Sequence, residues 1–365
     1  MAYTYSDDRA DLTPATLFSL IALVLLGTRF VQGFIFWGGA SRRLIYSFHP
    51  VSGVEHAVKL DFDSPGFVAN KLIHALPGTL WIQGPLEWTL QFPSLIVASV
   101  WFWTIAELLV GLGLIFGLLT RLAALGSIAI NLMLMLIFGW MGSTCLDEWT
   151  MAVSGVAMSS ALFLAGGGSV SLDALVARTD WAWRNRWTNW LFSGPVSGIA
   201  LRRLGIGLAL ASVVFTVGSY AILFGAVVSP LHSRVNYHSH NVALSDVAVA
   251  GGDVTFRAYV DAGPDTGAAY VIAAKLVDGS GETVATWDGA VLAALPAESF
   301  DNVYPYVWAS KFKTETVGFS GVTGAKATIT LQAPAGATIP AGGPYDLVLE
   351  AINGAVWRSG TPAGR

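Results

Sequence analysis

Long apolar stretches separated by shorter polar connections fill the first 230 residues of the chain. Five of these stretches reach the roughly 20 residues that an α-helix needs to cross about 30 Å of hydrocarbon. The predicted spans are residues 14–38, 93–119, 122–141, 149–168 and 204–231. The pattern therefore predicts a membrane α-helical bundle of four helices, followed by a fifth transmembrane helix.

The period of the pattern changes at about Val242, where apolar and polar positions begin to alternate as they do in half-buried β-strands. The segments predicted as strands are 242–252, 253–263, 268–289, 325–334 and 345–354. The pairs Asp278-Gly279 and Asn353-Gly354 are hairpin signals. Strands and turns at this spacing predict an all-β, sandwich-like domain after the membrane helices.

Composition supports the membrane assignment. Apolar residues make up 54% of the 365 residues and charged residues only 12%, about half the charged fraction of a soluble domain. This excludes a disordered chain, a nucleic-acid binder and an ordinary cytosolic enzyme, and indicates a protein of the lipid bilayer. The single cysteine excludes an intrachain disulfide and a C-x-x-C motif.

Short-loop arginines predict the orientation. The connection between the fourth and fifth spans carries Arg178, Arg184, Arg186, Arg202 and Arg203, and Arg121 lies in the turn between the second and third. The turn between the third and fourth spans carries only acidic charges. The expected arrangement is a multi-pass plasma-membrane protein with a cytoplasmic N-terminus and an extracytoplasmic C-terminal domain. The expected boundaries are 1–195 for the four-helix domain, 196–232 for the linker and fifth helix, and 233–365 for the β domain.

Two connections are expected to have structure of their own. The long loop 39–92 lies outside in this arrangement although it carries Arg42, Arg43, Lys59 and Lys71. Within it, residues 67–75 fit a short helix ended by Pro77-Gly78. The segment 171–190 alternates tryptophan with arginine and asparagine. This pattern predicts an amphipathic helix in the inner headgroup layer, and the alternative is an ordinary cytoplasmic connection.

Arg29 and Glu107 are charges inside predicted spans, where they are costly and need a partner. Counted from the ends of their spans, their depths differ by only about 5 Å. We therefore expect the two side chains to pair across adjacent antiparallel helices. Such a pair is either a salt bridge that stabilises the bundle or a quinone contact and proton path.

Basic residues follow the first span at the outer face. Arg42 and Arg43, together with His49 and Lys71, predict a cationic pocket for a small dianion, since guanidinium groups bind oxyanions at two points. The alternative is that these side chains anchor the protein at the membrane interface.

Cys145 lies at the outer end of the third span and is a candidate for a covalent sulfur intermediate. Asp147 and Glu148 beside it are expected to raise the pKa of the thiol, which disfavours a thiolate, and the alternative is a small packed residue. His232, His238 and His240 follow the fifth span. Without a carboxylate or cysteine at ligand spacing they favour a polar linker over a metal site. The predicted spans contain no histidine, which excludes bis-histidine haem within the bundle.

Three segments carry a resemblance to a known family. They are RFVQGFIFWGGASRR at 29–43, ELLVGLGLIFGLLTRLAAL at 107–125 and GSTCLDEW at 142–149. With them, the chain resembles the DoxD-like membrane family, part of the broader DoxX-like superfamily, joined to a DoxA-like domain. These are the two subunits of thiosulfate:quinone oxidoreductase.

The resemblance implies that two thiosulfates are coupled to tetrathionate on the outer face and that quinone, a substrate rather than a bound cofactor, accepts two electrons. It implies as partners thiosulfate, membrane quinone and the bilayer, and it is compatible with a homo-oligomer. On this hypothesis Cys145 and Glu107 are the catalytic candidates, Arg42, Arg43, His49 and Lys71 bind substrate, and Arg29 and Glu107 serve quinone or the proton path. The first alternative is a non-catalytic membrane anchor or assembly protein whose β domain docks an external redox partner. A sulfur-oxyanion transporter ranks third, because it needs a polar path through the bundle and Arg29 and Glu107 alone provide little of one.

Overall fold

The structure is a computed structural model. It describes residues 13–44, 58–141, 147–179, 185–225, 227–228, 234–334, 336, 339–340 and 343–359. The chain forms two compact units, neither of which is continuous in sequence. The first unit comprises Met1–Glu55, Trp101–Met133 and Thr150–Gly218, and the second comprises His56–Val100, Leu134–Trp149 and Ser219–Arg365.

Four helices are long and apolar enough to cross a membrane. They are α5 (Pro93–Phe116), α6 (Thr120–Phe138), α7 (Asp147–Ala165) and α10 (Gly198–Phe224). In α7 the candidate span comprises Glu148–Ala165. They correspond to the second to fifth predicted spans. The prediction of a helical membrane part is therefore confirmed, with α10 beginning six residues earlier than expected.

The first predicted span is wrong in its details, because it is two helices. Helix α1 (Pro14–Val24) begins after Thr13, whose hydroxyl caps the amide of Thr16, and it ends at Leu25. Helix α2 runs from Leu26 to Leu44, six residues beyond the predicted end at Gly38. Arg42 and Arg43 are thus in the last turn of a helix, where positive charge is favourable.

The segment 171–190 is not one amphipathic helix, which corrects the prediction. It contains two short helices, α8 (Leu172–Val176) and α9 (Arg186–Leu191). Ser171 caps the first, and Asn185 caps the second through a capping box with Thr188. Capping side chains satisfy free amides at a helix start and therefore interrupt a continuous helix. In addition Asp173 is buried, at 1% exposure, rather than on a polar face.

The long loop of the second unit contains helices α3 (Asn70–Ala75) and α4 (Gln83–Thr89), and a 3-10 turn at Leu76–Gly78 follows α3. The short helix predicted at 67–75 is confirmed. Its apolar residues share a buried cluster with Tyr304 and Trp308. The amide oxygen of Asn70 accepts hydrogen bonds from the backbone amide and hydroxyl of Ser310, so the loop is fastened to the β domain within this unit.

The C-terminal domain consists of antiparallel strands. They are β1 (Asn241–Ala250), β2 (Asp253–Ala262), β3 (Ala268–Asp278), β4 (Thr283–Trp287), β5 (Phe300–Asn302), β6 (Phe312–Thr314), β7 (Phe319–Val322), β8 (Lys326–Leu331), β9 (Tyr345–Ala351) and β10 (Val356–Arg358). One sheet has the order β1-β2-β8-β5, and the other has the order β10-β9-β3-β7-β6 with β4 also paired to β3. Helix α11 (Gly289–Ala293) follows β4. Buried residues of both sheets form one core, which confirms the predicted β domain.

Both predicted hairpins are present. Strands β3 and β4 are joined after Asp278, whose carboxylate accepts from the amides of Ser280 and Glu282. Strands β9 and β10 are joined at Asn353-Gly354, where Gly354 has a φ of 84° that favours glycine. The prediction missed β5, β6, β7 and β10 because three or four residues are too few for alternation to be recognised.

Candidate functional site

Two glycines bring helices α2 and α5 into close contact. A Cβ built on Gly33 would lie 2.9 Å from the carbonyl oxygen of Gly111, and one built on Gly111 would lie 2.6 Å from the amide nitrogen of Trp37. Neither distance is tolerable for a side chain, so only glycine permits this approach. The contact sets the antiparallel register, which places Gly39 opposite Glu107.

Glu107 forms a two-point ion pair with Arg43. The guanidinium Nη1 lies 3.0 Å from Oε2, and Nη2 donates to Oε1 at 3.1 Å. Glu107 is 6% exposed, and Arg43 also donates to the hydroxyl of Thr104 at 3.3 Å. A Cβ on Gly39 would lie 2.8 Å from the carboxylate, so the missing side chain makes room for the pair. Two-point geometry and burial make this a strong, specific interaction.

The expected pairing of Arg29 with Glu107 is wrong. Arg29 is buried and donates to the carbonyl oxygens of Gly167 and Val170 instead. In the observed register Glu107 is opposite Gly39, which lies ten residues, or about 15 Å of helix, beyond Arg29. Counting depth from Pro14 therefore places Arg29 too far along the span.

A buried network surrounds Asp173 at the other end of α2. Its carboxylate accepts from the amides of Leu119 and Thr120 and from the hydroxyls of Thr120 and Ser193. Arg121 is 1% exposed and donates to the carbonyl oxygens of Phe163, Trp190 and Gly194. Arg29 and Arg121 both interact electrostatically with Asp173. The network fastens the turn between α5 and α6 to the segment after α7.

A second polar cluster lies within the helices of the first unit, and the sequence reasoning missed it. Gln32 donates to the hydroxyls of Ser127 at 3.0 Å and of Ser159 at 3.3 Å, and the two hydroxyls are 2.6 Å apart. The amide of Asn131 donates to the carbonyl oxygen of Ser127. All four residues are at most 3% exposed, and Gln32 Oε1 has no hydrogen-bond partner among the described residues. A signal was available, since Gln32 and Asn131 are the amide side chains of the predicted spans.

The predicted cationic pocket is largely neutralised where the structure describes it. Arg43 is paired with Glu107, and in the second unit Lys71 Nζ lies 3.4 Å from Asp265. Arg42 is exposed, and its Nε donates to the carbonyl oxygen of Gly38 at 3.0 Å. His49 lies outside the described residues, as do Cys145, His56 and His232. Arg42 is therefore the described candidate whose guanidinium ends are best placed for a solvent-borne anion.

His74 belongs to the same part of the second unit as Lys71. Its Nδ1 lies 4.0 Å from Asp265, and its Nε2 is 3.3 Å from the side-chain amide of Asn70. Burial lowers the pKa of His74, Asp265 opposes that effect, and Lys71 reinforces it. His74 is consequently held closer to its neutral form than an exposed histidine.

The described histidines after α10 do not form a metal centre. The ring of His240 hydrogen-bonds to the carbonyl oxygen of Pro264 at 3.1 Å, and His238 is exposed. No group of three or more His, Cys, Asp or Glu side chains within the described residues is arranged to hold a metal ion.

Comparison with known families gives two matches along the chain. Residues 25–202 match the family described as TQO small subunit DoxD, and residues 223–360 match TQO small subunit DoxA. Both are subunit families of thiosulfate:quinone oxidoreductase. No solved structure matches the chain.

Proposed function

Because the chain belongs to the DoxD family in its membrane part and to the DoxA family in its C-terminal part, we propose that it is a single-chain thiosulfate:quinone oxidoreductase. The observation that carries the proposal is the presence of both subunit families in one polypeptide whose membrane helices hold a buried, ion-paired carboxylate. The family matches support the general activity. The reaction and the residue roles below are part of the proposal.

The proposed reaction balances without a resident cofactor. Two thiosulfate dianions form a bond between their terminal sulfur atoms, giving tetrathionate and releasing two electrons. A membrane quinone takes up these two electrons and two protons, giving the quinol. The arginine-rich short connections support placing thiosulfate oxidation at the extracytoplasmic face of the plasma membrane and the N-terminus in the cytoplasm.

Glu107 is the proposed proton-transfer group for quinol formation. It is the one acidic residue in the sequences of α5, α6 and α10, and ionisable residues within membrane helices usually serve function. Arg43 binds the carboxylate at two points and fixes its direction. Arg29 has no role in this step, because its guanidinium is engaged by backbone carbonyls away from Glu107.

Arg42 is the proposed contact for thiosulfate, with His49 as a second candidate from the sequence. Cys145 is proposed as the sulfur carrier. Its thiol sulfur joins the terminal sulfur of one thiosulfate as two electrons leave for quinone and the thiol proton is released. A second thiosulfate then attacks that sulfur, releasing tetrathionate while the cysteine takes up a proton and becomes a thiol again. This order predicts that Cys145→Ser abolishes turnover, and a variant that keeps full activity would remove Cys145 from the mechanism.

The decisive experiment is reduction of decylubiquinone by the detergent-purified chain, with and without thiosulfate, while tetrathionate is assayed. We expect reduction that depends on thiosulfate and forms one tetrathionate for each quinol. Folded protein without activity between pH 3 and 7 would overturn the proposal. It would favour the alternative in which the β domain docks an external redox partner, which co-purification would then identify.

A further inference from the structure

A cleft of about 380 Å³ lies beside helix α9, at the connection between α7 and α10. Among the described residues, Arg186, Trp187 and Trp190 line it. Trp187 is 75% exposed although it is one of the largest apolar side chains. One cation and two indole rings on a single helix form a surface that combines charge with aromatic area.

The cleft is held in place by contacts behind it. Asn185 caps α9 and accepts from the amides of Trp187 and Thr188, each at 2.9 Å. Arg121 donates to the carbonyl oxygen of Trp190 at 2.9 Å, and the ring of Phe163 on α7 lies 5.8 Å from the Trp190 ring. The backbone of α9 and the Trp190 ring are therefore fixed before a ligand arrives, which reduces the entropy that a ligand must overcome.

The buried network that Arg121 joins to the backbone of α9 holds more positive than negative charge among the described residues. It contains two guanidinium groups, Arg29 and Arg121, and one carboxylate, Asp173. Arg121 Nη2 is buried without a hydrogen-bond partner in this part of the chain. Arg186 adds a further positive charge at the mouth of the cleft. Such an excess attracts an anion.

The position of the cleft favours a lipid anion over a soluble one. Helix α9 ends at Leu191, seven residues before the spanning helix α10 begins at Gly198, and Ile199 is 71% exposed. Tryptophan is enriched where membrane helices meet the headgroup layer. Guanidinium groups bind phosphate at two points. We propose that Arg186, Trp187 and Trp190 bind the headgroup of an anionic phospholipid, with the phosphate on Arg186 and the glycerol region against the indoles.

The test is native mass spectrometry of the full-length, detergent-purified chain titrated with dioleoyl phosphatidylglycerol or dioleoyl phosphatidylcholine. We expect tighter binding of phosphatidylglycerol. Arg186→Gln should weaken it by roughly fivefold, the factor that corresponds to about 1 kcal/mol for one arginine at an anionic surface. Trp187→Ala should also weaken it, and because the side chain is exposed this variant should keep its fold. Arg178→Gln is the matched control, since this exposed arginine lies in the same connection but does not line the cleft.

Three results would overturn the proposal. Phosphatidylglycerol and phosphatidylcholine could bind equally well, which would show that the cleft does not recognise the negative charge of the headgroup. Arg178→Gln could weaken binding as much as Arg186→Gln, which would show a diffuse electrostatic attraction instead of a site. Millimolar sulfate or thiosulfate could displace the lipid, which would show a site for soluble dianions. None of these readouts depends on turnover, so the test stands apart from the proposed enzyme activity.

Discussion

The carboxylate of Glu107 meets the guanidinium of Arg43 at two points, 3.0 and 3.1 Å apart, across the contact between α2 and α5. Sixty-four positions separate the two residues in sequence. Gly39 makes room for the carboxylate, and Thr104 shares the guanidinium. The pair therefore depends on four residues of two helices and on the register between them.

Breaking this pair separates its structural from its functional role. Arg43→Gln should lower the unfolding free energy by about 3 kcal/mol, because it leaves the buried Glu107 carboxylate unpaired. Glu107→Gln should lower it by less, because Arg43 is partly exposed and keeps its hydrogen bond to Thr104. The double variant should recover much of that stability, since no uncompensated charge remains. Thermal denaturation in detergent measures these effects.

Activity in the same variants gives the second half of the test. If Glu107 transfers protons, the double variant should remain at least tenfold slower in quinone reduction although it is stable, with the KM for thiosulfate unchanged. A stable double variant with normal turnover would leave the pair a purely structural role.

The contact between Gly33 and Gly111 predicts that a glycine-to-alanine substitution in α2 has opposite effects on stability at two positions, Gly33 and Gly27. Gly33→Ala should destabilise the chain by about 2 kcal/mol or more, because its Cβ would lie 2.8–2.9 Å from backbone atoms of Ile115 and Gly111. Gly27→Ala, the matched control on α2, has nothing within 4 Å of the added carbon. It should be neutral or stabilising by up to about 1 kcal/mol, the intrinsic preference of a helix for alanine. Equal melting temperatures for the two variants would contradict the observed register.

Substrate contact is tested by comparing two cations. Arg42→Gln should raise the thiosulfate KM by about tenfold or more with little change in kcat, because a charged hydrogen bond to a bound anion contributes about 1.5–3 kcal/mol. Lys71→Gln should change the KM by less than about twofold, because Lys71 is exposed and its ammonium group is already close to the Asp265 carboxylate. A large effect of Lys71→Gln with none of Arg42→Gln would reverse this assignment.

Stability should depend on pH through His74. Burial, the largest effect, lowers its pKa, Asp265 raises it and Lys71 lowers it. A histidine whose folded pKa lies below its unfolded value binds more protons when unfolded. The unfolding free energy should therefore fall as the pH drops below about 6.5, the unfolded value, and the loss is complete once the pH is below the folded pKa.

The measurement is the melting temperature of the wild-type chain between pH 8 and 5, compared with two variants. His74→Gln should reduce the pH dependence in this window. Asp265→Asn should increase it, because the carboxylate that stabilises the imidazolium is gone. A wild-type curve that His74→Gln leaves unaltered would show that other groups control the response.

Some of the site was accessible from sequence. Arg29 and Glu107 are recognised from the sequence because charges inside apolar spans are costly. Arg43 is recognised for a different reason, as one of the cations that follow the first span. Their partners were not recognised, since a partner depends on the register of two helices. That register follows from Gly33 and Gly111, whose close approach cannot be read from hydropathy. The Gln32 cluster was missed for the same reason, because isolated polar residues in a span reveal no partner.

The larger local features were available in the linear pattern. Span length, the change from helical to alternating period at Val242 and the two hairpin turns each depend on a few neighbouring residues, so the membrane helices and the β domain followed from sequence. The tertiary structure alone decided that Arg43 and not Arg29 neutralises Glu107, and that Asp173 is buried in a network with Arg29 and Arg121. These outcomes depend on which surfaces meet across long sequence separations. A contact between two glycine backbones then determines which charges lie close enough to pair.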